Sequence, residues 1–347
     1  MGMKPSLSTT PSAGRGPPLP LRGKARAAAL ALLALAACSK IESKAPEPAL
    51  PAAQDIVVKS QPLPLNPADA SQDRVGGFLY AGGVNLTSAQ TKRLHGLSDI
   101  DVQPGGAMVA VGDEGDLVHG KVVLDAQGRL TGLGEARISA LTDLRGKALR
   151  GKDNRDSEGL ARLADGDLLI SFERRDRIWL YPRAGGPPRA VPSPDARFPF
   201  NEGMEALAPD PARGPDAYFT GGETTGRTWS CTLTSACVEG PRVPLDVGFG
   251  LVAARRLPNG MTAWLLRAFN PTTLSVIDLR ITDAGGKVVD QMELRRPLTV
   301  DNFEGLAAVS QAGGKIRFYL ISDDNFSSSQ RTLLMAFDWQ PPTISGR

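Results

Sequence analysis

The sequence predicts an all-β chain closed into a propeller, and three observations carry that prediction. Gly and Pro are abundant, at 38 and 28 of 347 residues, aromatics make up only 5%, and no long segment shows a 3.6-residue apolar period. Short apolar runs separated by turn signals recur instead, as in "EGLARLADGDLLISFERRDRIWLYPRAGGPPRAV", which reads as four antiparallel strands with an Asp165-Gly166 turn between the first two. The first of those strands also has near copies along the chain, at a spacing of one four-stranded unit. A repeated unit of this kind suits propeller blades.

The ends of the chain come first. Residues 1–37 carry five basic residues (Lys4, Arg15, Arg22, Lys24, Arg26), no acid, and a final apolar run "AAALALLALAAC" that reaches into Cys38. That is a secretory signal, too short to span a bilayer stably. Leu35-Ala36-Ala37-Cys38 resembles a bacterial lipobox, in which the cysteine is lipidated and becomes the first mature residue; the alternative is an ordinary signal peptide with an incidental Cys38. With Ser39 next, the expected address is the cell envelope, on the periplasmic face of the outer membrane, and the lipid anchor is the only membrane contact expected. Without the signal, the basic count falls from 40 to 35 against 37 acids, so the basic pI gives no case for nucleic-acid binding. Residues 38–72, rich in Pro and Ala, read as an extended tether of which little should pack. Residues 73–341 are left as the folded domain, expected to be a monomer.

Within that domain, five copies of the inner-strand phrase align: "HGLSDIDV" from His95, "EGLARLAD" from Glu158, "EALAPDPA" from Glu205, "FGLVAARR" from Phe249 and "EGLAAVSQ" from Glu304. Each leads through a turn into a second strand that ends in a polar group: "MVAVGDEG", "LLISFERR", "AYFTGGET", "TAWLLRAF" and "FYLISDDN". A sixth blade is expected from pairing of the N-terminal "GGFLYAGGV" with the C-terminal "RTLLMAFDW", which would close the ring and hide both edges. The fold class is therefore an all-β propeller, six-bladed, with four-stranded antiparallel blades.

The hairpin places the chemistry. In an antiparallel pair, the start of the first strand and the end of the second share one rim of the sheet. His95 should then neighbour Asp113 or Glu114, Glu158 should neighbour Glu173, Glu205 should neighbour Glu223, Phe249 should neighbour Arg267, and Glu304 should neighbour Asp323 or Asp324, at separations of 15 to 19 residues. Inner strands line a propeller's channel, so all five pairs converge on one mouth. Carboxylates so gathered must bind a cation, pair with Arg267 or take up protons. Oxygen donors of this type suit hard cations, Ca2+ before Mg2+, and the expected ligands are Glu158, Glu205, Glu304, Asp323 and Asp324. Each Glu alone has another reading, as a strand-start acid that accepts backbone N–H groups.

Cys231 and Cys237, in "WSCTLTSACVEG", are expected to form a disulfide across a small-residue turn, the alternative being two free thiols; no His lies near enough for a zinc site. The chain contains no G-x-S-x-G, H-E-x-x-H or G-x-x-x-x-G-K-[ST], which leaves the serine-hydrolase, zincin and P-loop routes without their parts. His119 reads as a strand residue, and Ser98 as pointing away from His95.

"HGLSDIDV", "DSEGLARL", "NEGMEALA", "DNFEGLAAV" and the closing "LISDDNFSSSQRTLLMAFDW" resemble the phytase-like domain described as having esterase-like activity, over roughly Gly96 to Trp339. The resemblance implies a β-propeller and a hydrolase of phosphate or carboxylate esters, acting on a small-molecule substrate. Against the calcium-dependent β-propeller phytases, the basic residues on offer for phosphate are Arg155, Arg174, Arg175 and Arg267. The expected mechanism is metal-assisted ester hydrolysis, with His95 as general base, Arg267 as the lone cation of the ring clamping a substrate oxygen, and Glu173 and Glu223 beside them. Two alternatives stand: a lactonase of the gluconolactonase type, and a non-catalytic lipoprotein whose mouth binds a ligand or envelope partner.

Overall fold

A computed structural model describes residues 53–342, so the signal segment and Cys38 lie outside the described residues. Five antiparallel sheets follow one another along the chain. Blade 1 runs outward through Leu97–Val102, Ala107–Gly112, Asp116–Leu124 and Leu130–Ala140, and Gln54–Asp55 adds a short strand at its edge. Blade 2 is built from Ser157–Arg162, Leu168–Phe172, Arg177–Tyr181 and Arg189–Val191, and blade 3 from Ala206–Pro209, Ala217–Gly221, Thr228–Thr232 and Val238–Glu239. Phe249–Arg256, Thr262–Asn270, Leu274–Thr282 and Val288–Leu294 form blade 4. Blade 5 takes Phe303–Ser310, Ile316–Ser322 and Leu333–Trp339 from the C-terminal end, then Phe78–Thr87 and Lys59–Pro62 from the N-terminal end.

There are thus five blades, not six. The expected pairing of the two ends is present, with Val84 opposite Leu334 and Phe78 opposite Trp339. It makes no new blade, because Leu333–Trp339 is already the third strand of the Glu304 blade and Phe78–Thr87 simply becomes its fourth. The tether reading needs a correction as well. Gln54–Asp55 and Lys59–Pro62 pair with Leu130–Ala140 and Phe78–Thr87, and Ile56 and Leu65 are buried. An edge strand with only one packed face needs few apolar residues, so composition alone gave it no signal.

Apolar side chains fill the spaces between adjacent blades. Phe78 stacks on Trp339 and Phe318 lies tilted against both, at 6.1–6.3 Å between ring centroids, inside the largest cluster, which joins blades 4 and 5. Full burial of side chains of this size is worth roughly 1.5–3 kcal/mol each. Cys231 is joined to Cys237 on the third strand of blade 3 and the loop after it.

The repeated Glu-Gly has a local structural reason. In blade 2 the register jumps between Phe172↔Ser157 and Ile170↔Leu160, and in blade 5 between Phe303↔Ser322 and Gly305↔Ile321. Each inner strand therefore bulges at its Glu, which turns that side chain toward the channel mouth. The Gly that follows permits close approach of the next blade: a Cβ on Gly159 would lie 2.4 Å from the Glu205 carbonyl oxygen, and one on Gly305 would lie 2.7 Å from the Asp99 Cα.

Deeper in the channel, Asp99 of blade 1 and Arg255 of blade 4 form a buried pair. Arg255 Nη2 donates to both Asp99 carboxylate oxygens at 2.9 Å and to the Ile100 carbonyl, while its Nη1 donates to the Leu207 carbonyl of blade 3. Asp99 also accepts the backbone N–H groups of Leu160 in blade 2 and Leu306 in blade 5. One ion pair thus touches the inner strand of every blade.

Candidate active site at the channel mouth

Each inner strand begins, and each second strand ends, on the same face of the propeller, and the loops between blades return there. Glu158, Glu205 and Glu304 arrive from inner-strand bulges or starts, whereas Glu173, Glu223, Asp323 and Asp324 lie just beyond the ends of second strands and Arg267 lies toward the end of Thr262–Asn270. Turns on this face are strained. Arg174, Asn201, Leu274, Asn325 and Phe326 all hold positive φ, between 48° and 63°, a region that bulky residues rarely adopt.

Two groups of carboxylates converge. Oxygens of Asp156, Glu158 and Glu173 lie within 4.8 Å of one another, as do oxygens of Glu173, Glu205 and Glu223, so Glu173 belongs to both. Glu173 is buried and accepts the Gly203 N–H at 2.8 Å. Glu205 Oε2 is buried and has no hydrogen-bond partner among the described residues. Burial pushes the Glu173 carboxyl up to about 7, with the charges of Asp156 and Glu223 adding to it and the Gly203 N–H opposing. Glu158 and Glu205 are driven well above the usual carboxylate range, first by burial and then by neighbouring acids. On the blade 5 side, burial and then the charges of Glu304 and Asp113 raise Asp323 to about 8. Such a mouth holds more negative charge than it can solvate.

Cations answer part of that charge. Arg267 Nη1 donates to Glu304 and, at 2.8 Å, to Asn302 Oδ1, and its Nη2 donates to Glu223 at 3.0 Å. Lys152, in the helical turn Lys152–Arg155, bonds Asp113 and Asp156 at 2.6 Å each, and Arg174 donates to Asp156. Arg155 pairs with Glu114, and Arg175 donates to Asn154 Oδ1. Arg267 is therefore not the lone cation of the ring, and its guanidinium is held by protein acids rather than presented as a free clamp. Arg155, Arg174 and Arg175 are likewise engaged.

The expected residues regroup accordingly. The start of the His95 strand does meet Asp113, whose N–H donates to the Gly96 carbonyl at 2.8 Å, but the imidazole bonds across to the next blade, with Nδ1 2.5 Å from Asp324 Oδ2 of blade 5. Asp324 is buried and accepts three further bonds, from the Gly96 and Phe326 N–H groups and the Thr332 hydroxyl, which fix its carboxylate in place. Nδ1 of the half-exposed imidazole thus faces this carboxylate, and Nε2 has no hydrogen-bond partner among the described residues. Of the five expected metal ligands, Glu158 and Glu205 fall in the carboxylate groups, whereas Glu304 is bonded to Arg267 and Asn302 and Asp324 to His95. Asp323 accepts the Asn325 N–H at 2.6 Å and lies outside both groups. Glu173 and Glu223 take their places. Asp156 escaped the sequence reading because it sits two residues ahead of the repeated Glu, and Lys152 because nothing in the repeat marks a helical turn there. His119 lies on the strand Asp116–Leu124, as expected.

A set of carboxylate oxygens, one of them buried and unpartnered, fits a hard divalent cation. The residues also fit proton-transfer chemistry, since burial holds the Glu173 carboxyl near 7 and the mouth carries an imidazole, His95, beside Asp324.

Comparison with curated proteins gives no match. Among solved structures, a virginiamycin B lyase of Staphylococcus aureus in complex with quinupristin is 11% identical, covers 82% of this chain and 100% of its own, and has a TM-score of 0.42. A protein described as a gluconolactonase is 12% identical over 84% of this chain and 96% of its own, TM-score 0.42, and the nidogen/laminin complex is 10% identical over 74% and 96%, TM-score 0.39. At these scores the likenesses bear on no residue of the mouth. The family model described as esterase-like activity of phytase matches residues 92–326, a span that contains every blade's inner strand and the whole mouth, and the chain belongs to that phytase-like family.

Proposed function

We propose that the channel mouth hydrolyses ester bonds, phosphoric or carboxylic, with the help of a divalent cation. The single observation that carries this reading is the pair of carboxylate groups sharing Glu173, with the buried and unpartnered Glu205 Oε2 among them. Glu158, Glu173 and Glu205 would hold the ion, calcium by preference, with Asp156 and Glu223 beside them already tied to cationic side chains. The ion supplies charge for the ester oxygens and a more acidic bound water. His95, oriented by Asp324, accepts the proton of an attacking water at Nε2. Arg267 fixes Glu223 and Glu304 from blades 3 and 5, which keeps the acids from relaxing apart.

The same proposal places the protein in the cell envelope, anchored by a lipid on Cys38. The test is hydrolysis of 4-nitrophenyl phosphate and 4-nitrophenyl acetate with added calcium or with EDTA. Calcium should support turnover, Glu205→Gln should lower it by about 10–100-fold or more, and His95→Asn by about 10²–10⁴-fold. The same rate with calcium, with EDTA and in Glu205→Gln would refute the metal-assisted reading, and no turnover under any condition would leave a propeller that binds without catalysing.

A further inference from the structure

Between blades 4 and 5 the mouth opens into a cleft of about 1130 Å3 that reaches the Arg267–Glu223 pair at its inner end. Its walls are mixed. Phe249, Phe269, Leu274 and Val300 supply apolar surface, and Phe269 is 63% exposed at the end of its strand, with nothing packed over it to explain a phenyl ring there. The neighbouring Leu274 and Asn325 hold two of the positive φ values, so the turns that shape the cleft are kept in place at a conformational cost.

Its charges are more informative than its size. Three guanidinium groups, Arg267, Arg296 and Arg331, line it beside two carboxylates, Glu223 and Asp301, and a third carboxylate, Glu304, lies behind Arg267. Arg267 is bound to Glu223 and Glu304, and Arg331 Nε donates to Asp301 at 2.9 Å. Arg296 is exposed on the loop after Val288–Leu294 and has no hydrogen-bond or ion-pair partner among the described residues. The unpaired positive charge of the lining is therefore on Arg296, in the same cleft as the apolar side chains, with carboxylates beyond Arg267.

We infer that this cleft binds an amphipathic monoanion: an apolar, aromatic or acyl body against Phe269 and Leu274, with its one anionic group on Arg296. The inference rests on the proposed hydrolytic reading for calling that ligand a substrate, and on the cleft alone for its binding. A densely charged polyphosphate is disfavoured there, because one free guanidinium cannot offset several phosphates beside Glu304, Asp323 and the carboxylate groups.

The probe is 8-anilinonaphthalene-1-sulfonate, which carries one aromatic body and one sulfonate, titrated by fluorescence into the full chain without added metal. Phe269→Ser should weaken binding roughly tenfold and Arg296→Gln several-fold. Phe200→Ser, at an exposed phenyl on the other side of the mouth, over Arg174, should leave binding unchanged. In the wild type, 1-naphthoate, an aromatic monoanion, should displace the dye and myo-inositol hexakisphosphate should not, an arm that needs no variant to fold. Dye binding that survives Phe269→Ser and Arg296→Gln together, that falls equally in Phe200→Ser, or that yields to the hexakisphosphate first would overturn the inference. Glu205→Gln separates the two readings: it should abolish hydrolysis while dye affinity stays as in the wild type, so a protein that binds the dye but never turns over ester loses the catalytic reading and keeps the cleft.

Discussion

Replacing Arg255 by Met tests whether the five blades are held by one buried ion pair. Asp99 is wholly buried and Arg255 nearly so, and their two bonds at 2.9 Å have no water to replace them. Removing one member of such a pair leaves an uncompensated charge and costs about 3–5 kcal/mol. For a domain of this size, each kcal/mol moves the melting temperature by about 2–4 °C, so Arg255→Met should melt about 6–20 °C lower at pH 8. The pH dependence identifies the cause. Burial pushes the Asp99 carboxyl up to about 6 from the ordinary 3.8, and Arg255 opposes that rise, so the variant's carboxyl should lie higher still. A carboxyl raised on folding takes up a proton as the chain folds, and its contribution to stability is lost as pH rises through the folded value. The deficit of Arg255→Met should therefore be largest at pH 8 and shrink at pH 5, and Asp99→Asn in the same chain should recover part of it. Thermal melting by circular dichroism reads all three. A deficit below about 2 °C at pH 8, or one equal at pH 5 and pH 8, would refute the reasoning.

The mouth gives a second pH signature. Glu173 near 7 and Asp323 near 8 hold protons in the folded state that the unfolded chain releases above about pH 4–5, so without added cation the melting temperature should fall as pH rises from 5 to 8. Calcium at 100 times its dissociation constant should return about 2.7 kcal/mol at pH 8 and EDTA should remove it; a melting curve indifferent to calcium would argue against a cation at these acids. Gly159→Ala drives a Cβ to within 2.4 Å of the Glu205 carbonyl oxygen and should cost about 1–3 kcal/mol in chemical denaturation, whereas Gly134→Ala, whose nearest neighbour is the Val123 side chain at 3.4 Å, should be close to neutral; equal effects would deny the blade contact its role. Cys38→Ala should move the protein from the membrane fraction to the soluble one, and unchanged fractionation would refute the lipid anchor.

The blade pattern was legible because each inner strand repeats a phrase whose Glu and Gly have separate physical jobs, a side chain aimed by a bulge and a close backbone approach. Blade number was not, since the sequence shows that the two ends can pair but not that Leu333–Trp339 already has an inner neighbour. The acids of the mouth were legible one blade at a time. Their partners were not, because His95 with Asp324 and Arg267 with Glu304 cross between blades, at separations no local spacing encodes. The pair of Asp99 and Arg255 was not legible either: each inner strand carries a second charge, Asp101 and Arg256, and only the fold shows which one is buried.

The way the ring is sewn shut sets a schedule for its birth. Phe78–Thr87 is made before the other blade strands it must close against, yet its partner Leu333–Trp339 is the last strand to emerge among the described residues. Until then the first strands have no mate on that side, and contacts this distant in sequence form slowly. For most of its assembly the chain carries an open, apolar edge able to recruit a stranger's strand. Once the last strand docks, that vulnerability disappears and separation of the blades requires pulling out a strand bonded on both sides. Slow closure and slow unravelling are thus two faces of one seam, and a chain cut short by even its final strand would lose the ring rather than a single blade.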